Sequence, residues 1–293
     1  MKVLVAGATG VVGRHAVTLL IAAGHHVRAL SRNPDQLPDP ASLELHAADI
    51  TQPETLAGAC SGIDAVIACA GASLQLRSLT QRTGFLAVDY QGNCNLLAEA
   101  RRAGVARFVF VSLAGANALG RTEYAQAHER FVEEVAASGL LFTIIRPTGF
   151  FSVFGGFLRM ARLGIVPIVG TGLSRTNPIH EAEVAQACVE ALSRPDESRA
   201  IGGPEIFTRH RLAEMAFDAI GKPPRLLSLP PALARLAVPL WRPVNPRLSA
   251  LLEFGLAVAQ TDVLAPRYGT RRLGDYLRSV TGSAESGRSS LRQ

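Results

Sequence analysis

The first two dozen residues constrain this chain more than any other stretch. Lys2-Val3-Leu4-Val5-Ala6 is a short apolar run, Gly7, Gly10 and Gly13 follow at G-x-x-G-x-x-G spacing, and residues 11–23 read as a helix closed by Gly24. Three glycines between a buried strand and a helix start are the opening of a βαβ unit. Gly7 permits the tight turn, Gly10 lets backbone approach a pyrophosphate, and Gly13 lets the helix pack close to the strand. The amides at the helix start hold the anion. Thr9, Val11 and Val12 complete this expected phosphate turn.

The rhythm set there continues. Apolar runs at 26–30, 43–47, 64–70, 107–112 and 140–147 read as strands, and helical stretches at 53–60, 85–103 and 123–138 lie between them. Short, nearly continuous apolar strands between amphipathic helices predict a parallel sheet covered on both faces. The fold class is therefore α/β, a doubly wound parallel-sheet Rossmann fold. Such sheets bind ligands beyond the carboxyl ends of their strands. After Pro147 glycine and proline become frequent. Residues 1–147 are expected to form the nucleotide-binding core and 148–280 mostly a smaller C-terminal lid region, with 176–194 returning to the core and 281–293 forming a disordered tail.

Composition narrows the class. At 48% apolar and 18% charged residues the chain is globular. Its +6 charge is scattered, with no run of five or more cations, so nucleic acid is not an expected partner. Cys60, Cys69, Cys94 and Cys188 form no CxxC pair, which predicts no metal site and a reducing, cytoplasmic setting. No stretch is long and apolar enough for a transmembrane segment. Leu226 to Leu264, rich in Leu, Ala and Pro, would form amphipathic helices. They would touch a membrane surface or a partner, or pack as a lid on a substrate pocket.

The end of the second strand reports on the ribose. NAD-selective sites place an acid about 20 residues beyond the glycines. Here Leu30-Ser31-Arg32-Asn33-Pro34 has none until Asp35. Arg32 would grip a 2′-phosphate with a charge-assisted fork, and Ser31 would add a hydroxyl donor. Arg14 is either a helper or a solvated helix charge. The expected cofactor is NADP(H) rather than NAD(H).

The segments "GATGVVGR", "VRALSRNP", "AADI", "VDYQGNCNLLAEARRAGVARFVFVS", "SGLLFTIIRPTGFF" and "NPIHEAEVAQACVEAL" resemble the atypical short-chain dehydrogenase/reductase family, in its NmrA-like, NAD(P)-binding branch. The likeness covers roughly residues 1–220. It implies that Asp49 and Ile50 meet the adenine, that Ala70 and Gly71 pass under the riboses, and that Ser112 ends a strand at the catalytic edge. Pro147, Thr148 and Gly149 would lie beside the carboxamide. Asn93 would sit in the long helix near the sheet. Asp49 would otherwise only cap a helix with Thr51, and Asn93 would otherwise only satisfy backbone groups.

Where this family performs hydride chemistry it uses a Tyr-x-x-x-Lys pair with a serine or threonine. Here Tyr124 is followed by His128, with Ser112 twelve residues earlier. Residues four apart share a helix face. Histidine is shorter than lysine and mostly neutral at pH 7, so it supplies little charge to a tyrosine. Only Lys2 and Lys222 are lysines in the whole chain. Drift along that composition would have produced arginine at position 128. Tyr124, His128, Phe131 and Val135 also fit a packed helical stripe. The expected catalytic set is thus Tyr124, Ser112 and His128, acting on a small or medium apolar carbonyl or activated alkene in a pocket supplied by Phe150, Phe151, Phe154, Phe157 and Met160. The alternative is an NADP(H)-binding redox sensor or assembly factor without turnover.

Overall fold

The computed structural model describes residues 1–37, 43–72, 74, 83–194 and 197–289. Strand β1 (Lys2–Ala6) is buried along its length between β2 (His26–Ser31) and β4 (Ala65–Ala68). β3 (Leu43–Ala47) pairs with β2 on one side. On the other, β5 (Arg107–Val111) follows β4 and β6 (Leu141–Pro147) follows β5. β7 (Val166–Val169) and β8 (Arg175–Thr176) leave the sheet, and β9 (Glu197–Ile201) rejoins it beside β6. The order is β3-β2-β1-β4-β5-β6-β9, all parallel. The chain reverses its direction of travel across the sheet between β1 and β4. Loops diverge at that switch point and leave a crevice.

Two cores cover the sheet. Val3, Val5, Val27 and Ile67 face α1 (Gly13–Ala22), which contributes Ala16, Val17 and Leu20. α6 (Glu181–Glu190) joins the same core with Val184, Ala185, Ala187 and Cys188. On the opposite face Leu4, Val66, Phe108 and Phe110 meet α2 (Asn93–Arg102), through Leu96, and α4 (Glu123–Ala136), through Phe131 and Val135. Each fully buried Val, Leu, Ile or Phe among them is worth about 1.5–3 kcal/mol.

The helix expected over 53–60 is only a 3-10 turn, Pro53–Leu56, because Gly58 at φ +78° breaks it. The long helix expected over 85–103 begins instead as a π-helical turn, Leu86–Gly92, before becoming α2. Past β5 comes a short helix, α3 (Ala116–Leu119). α5 (Phe151–Leu163), α7 (Arg209–Asp218) and α10 (Leu273–Ser289) form a third core around Phe151, Phe154, Leu158, Leu212 and Phe217. Phe151 and Phe154 therefore fill the interior of this third core rather than a substrate pocket. β10 (Phe207–Thr208) pairs with β8, and β11 (Leu226–Leu229) with β7. α8 (Pro231–Ala237) and α9 (Pro246–Gln260) follow, joined through a 3-10 turn, Val238–Trp241. α10 runs to Ser289, into the stretch expected to be a tail, and residues 290–293 lie outside the described ones.

Candidate functional site

Parallel strands deliver their carboxyl ends to one edge. β1 leads to Gly7, β2 to Ser31 and Arg32, β4 to Ala70 and Gly71, β5 to Ser112, and β6 ends on Pro147. Gly7 has φ +79°, and a Cβ there would lie 2.8 Å from the Ala70 backbone. A Cβ on Gly13 would sit 2.1 Å from the Gly7 carbonyl oxygen, while one on Gly10 would meet only that oxygen, at 3.0 Å. No side chain caps the start of α1 and no acid occupies its first turn. An uncapped helix start with a positive dipole end accepts an anion. Val12 is buried in the core, so it offers a ligand backbone alone. Arg14 folds back over the turn, its Nε donating to the Gly10 carbonyl at 3.2 Å and its Nη2 to that of Thr9 at 3.3 Å. Thr9, Arg14, Gln36 and Leu37 line a cleft of about 370 Å³ beside the turn.

At the end of β2, Ser31 is buried and its Oγ accepts the Asn33 amide at 3.1 Å, which shapes the turn that presents the exposed Arg32. Asp49 Oδ1 accepts both the amide and the hydroxyl of Thr51, at 2.9 and 2.8 Å. Ile50 is packed under the π-helical turn, where a Cβ on Gly92 would lie 2.9 Å from its Cγ1.

The interior of the site centres on a residue that no sequence motif marks. Asp89, 1% exposed, projects from the π-helical turn. Its Oδ1 accepts the Ala72 amide at 3.1 Å and lies 3.5 Å from His128 Nε2. A Cβ on Gly71 would come within 2.7 Å of the same oxygen, so glycine there makes room for the carboxylate. Asn93 pins the loop after β4, donating to the carbonyls of Ala70 at 3.3 Å and Asp89 at 3.0 Å. The π turn is the signal that marks Asp89, since such turns recur at functional sites. It is not visible in the sequence.

His128 is buried and stacks on Phe110, with ring centroids 5.5 Å apart. The Tyr124 ring lies 4.5 Å from that of His128, 5.1 Å from Phe85 and 4.7 Å from Phe254 of α9. Burial, and then the Asp89 carboxylate, push the Tyr124 phenol well above the usual tyrosine range. Arg247, at the start of α9, is buried with its guanidinium over the Phe85 ring at 5.8 Å. Burial lowers its pKa, Asp89 opposes that shift, and Arg32 reinforces it. α9 thus brings a phenyl ring against Tyr124 and a cation over Phe85.

Among the described residues, Asp89 Oδ2, Asn93 Oδ1, Ser112 Oγ and both ring nitrogens of His128 have no hydrogen-bond partner. An unsatisfied buried polar group costs about 1–3 kcal/mol, so native structures rarely gather five at one place without a ligand to meet them. The glycine cradle, the uncapped helix start and this polar cluster share one sheet edge. Together they fit a nicotinamide dinucleotide.

Comparison with known proteins agrees with that class. The family described as NAD(P)H-binding matches residues 7–195. The chain belongs to this NAD(P)H-binding Rossmann family, and its relatives are of the atypical short-chain dehydrogenase/reductase type. It is 28% identical over 256 residues to the chloroplastic divinyl chlorophyllide a 8-vinyl-reductase of Zea mays, covering 78% of this chain and 61% of that one. It is 27% identical over 243 residues to the mitochondrial NADH dehydrogenase [ubiquinone] 1 alpha subcomplex subunit 9 of Arabidopsis thaliana, covering 78% of this chain and 60% of the relative. The chain therefore spans about three fifths of the length of these relatives. The fold is shared with an NADPH-dependent quinone oxidoreductase of Escherichia coli solved with NADPH, at TM-score 0.74 and 17% identity over 96% of this chain and 100% of the other.

Proposed function

We propose that this chain is an NADPH-dependent oxidoreductase that reduces a small or medium apolar carbonyl or activated alkene. The observation that carries the reading is the cluster of unsatisfied buried polar atoms on Asp89, Asn93, Ser112 and His128, beside the glycine turn and Tyr124. The turn from Gly7 to Gly13 would hold the pyrophosphate, with Ala70, Gly71 and Pro147 bordering the cofactor. Asp49 would meet the adenine through its second oxygen, since Thr51 engages the first. Exposed Arg32 would take the 2′-phosphate and so select NADPH over NADH. A reduced nicotinamide at this edge would supply the hydride. Tyr124 holds a proton at its phenol oxygen, kept there by burial and by Asp89. Ser112 and His128 would orient the substrate oxygen or the ribose hydroxyls by hydrogen bonds. Phe254 and Leu251, partly buried in the clusters that hold Tyr124, would give the substrate an apolar wall.

The relatives and the fold neighbour include enzymes named as a vinyl reductase and a quinone oxidoreductase, which supports this substrate class. The test is NADPH oxidation with a panel of quinones, aldehydes and enones. Turnover that falls at least tenfold in Tyr124→Phe is expected. No turnover with any member overturns the enzymatic reading.

A second reading is an NADP(H)-binding regulator or assembly factor without turnover. It is favoured by the raised Tyr124 phenol and by the absence of lysine beside it. Lys2 is tied to Glu44 at the amino end of β1, remote from the carboxyl edge.

A further inference from the structure

The segment after β11 wears its hydrophobic residues on the outside. Along α8 and the 3-10 turn, Ala234 and Val238 take the packed positions. Leu233, Leu236 and Leu240, at i, i+3 and i+7, are 62%, 70% and 75% exposed. Trp241 and Val244 extend the exposed apolar surface at 47% and 66%. A helix that only covers a core has the reverse pattern, with large apolar residues inward. Contiguous exposed apolar patches mark interaction sites.

The charge around the patch says what it meets. From residue 219 to 252 the chain has five cations, Lys222, Arg225, Arg235, Arg242 and Arg247, and no Asp or Glu. The first four of these are exposed. Leucine and tryptophan on one side with arginine beside them, and no carboxylate between Ala219 and Leu252, is the composition of a segment that lies in a bilayer interface. No helix among the described residues is long and apolar enough to cross a membrane. An apolar protein partner would explain the leucines but not the five cations without a carboxylate among them.

We infer that α8 and the Val238–Trp241 turn form a docking surface for an anionic lipid bilayer. Leu233, Leu236, Leu240 and Trp241 would enter the acyl boundary, and Arg235 and Arg242 would meet lipid phosphates. None of these side chains is one assigned to the crevice at the strand ends, and the proposal does not depend on turnover there. α8 packs against α9, which carries Phe254 and Arg247 into the crevice, so docking would hold the lid at the membrane.

Trp241 is the only tryptophan in the chain, so its fluorescence reads the contact directly. The protein is mixed with vesicles of equal parts phosphatidylglycerol and phosphatidylcholine, and separately with pure phosphatidylcholine. Expected are a blue-shifted emission and co-sedimentation with the anionic vesicles, both weakened by added salt. Removal of either arginine should weaken binding about fivefold. Leu236→Glu with Leu240→Glu should abolish binding while NADPH affinity and melting temperature stay unchanged. An unchanged spectrum with anionic vesicles overturns the proposal. So does a blue shift that grows with protein concentration without lipid, which assigns the face to a second copy of the chain. Recruitment by nucleic acid in preference to vesicles also overturns it.

Discussion

Replacing Gly13 and Gly10 one at a time by alanine separates what the glycine turn does for the fold from what it does for a ligand. In Gly13→Ala the new Cβ would lie 2.1 Å from the Gly7 carbonyl oxygen, 2.8 Å from the Gly7 carbonyl carbon and 2.9 Å from Ala8 Cα. All three are backbone atoms at the β1–α1 junction, so no rotamer relieves the clash. The helix must lift from the strand by about 1 Å to restore ordinary contact, and overpacking of this kind costs about 3 kcal/mol. In a domain of this size that lowers the melting temperature by roughly 6–12 °C. In Gly10→Ala the methyl meets only the Gly7 oxygen, at 3.0 Å, and the residue is exposed with no positive φ. A shift of a few tenths of an ångström accommodates it, so the melting temperature should change by less than about 2 °C. The methyl would nevertheless stand where a pyrophosphate approaches, and NADPH binding should weaken at least tenfold, about 1.4 kcal/mol. Differential scanning fluorimetry and NADPH fluorescence titration read the two effects. A Gly13→Ala protein as stable as the parent would refute the packing geometry. A Gly10→Ala protein that binds NADPH within a factor of two of the parent would refute the cradle.

Two further predictions follow from the charges. Arg32→Ala should weaken NADPH binding by at least tenfold and NADH binding by less than threefold, because only the former carries a 2′-phosphate. Equal losses in parallel titrations would remove Arg32 from that role. His15 and His180 lie 5.9 Å apart between α1 and α6, and burial lowers the pKa of each. A base whose folded pKa is depressed binds fewer protons folded than unfolded below about pH 6.5, so its stability contribution is complete above that pH and is lost as pH falls. The melting temperature should therefore drop between pH 7.5 and 5.5, and His15→Gln should flatten that drop. An unaltered slope would acquit the pair.

The strand ends were legible because the parallel fold speaks in short apolar runs. The β1, β2 and β3 boundaries fall within a residue of the sequence reading, and the residues just past the strands are the ones that reach the crevice. The glycine turn was legible because its spacing has a steric meaning that Gly7 and Gly13 confirm. Asp49 and Asn93 were ambiguous in sequence. The structure shows the structural half of each, a turn with Thr51 and bonds to the carbonyls of Ala70 and Asp89. Asp89 was missed because its direction depends on a π turn, and no residue type in Leu86–Gly92 announces one. The region after Pro147 was hardest. The apolar richness of Phe151 and Phe154 looks the same as that of Leu236 and Leu240. Only tertiary packing decides that the first pair is buried and the second faces out.

The π turn also bears on how this site could be gained or lost. In an α-helix each residue advances the side-chain direction by about 100°. A π turn is what a helix shows when it has absorbed one extra residue without disturbing its flanks. Deleting a single residue between Leu86 and Asp89 would let the segment relax to ordinary helix and swing the carboxylate away from Gly71 and His128, with α2 left in place. The cluster is thus one indel from being dismantled, along a mutational route that substitution scanning never samples.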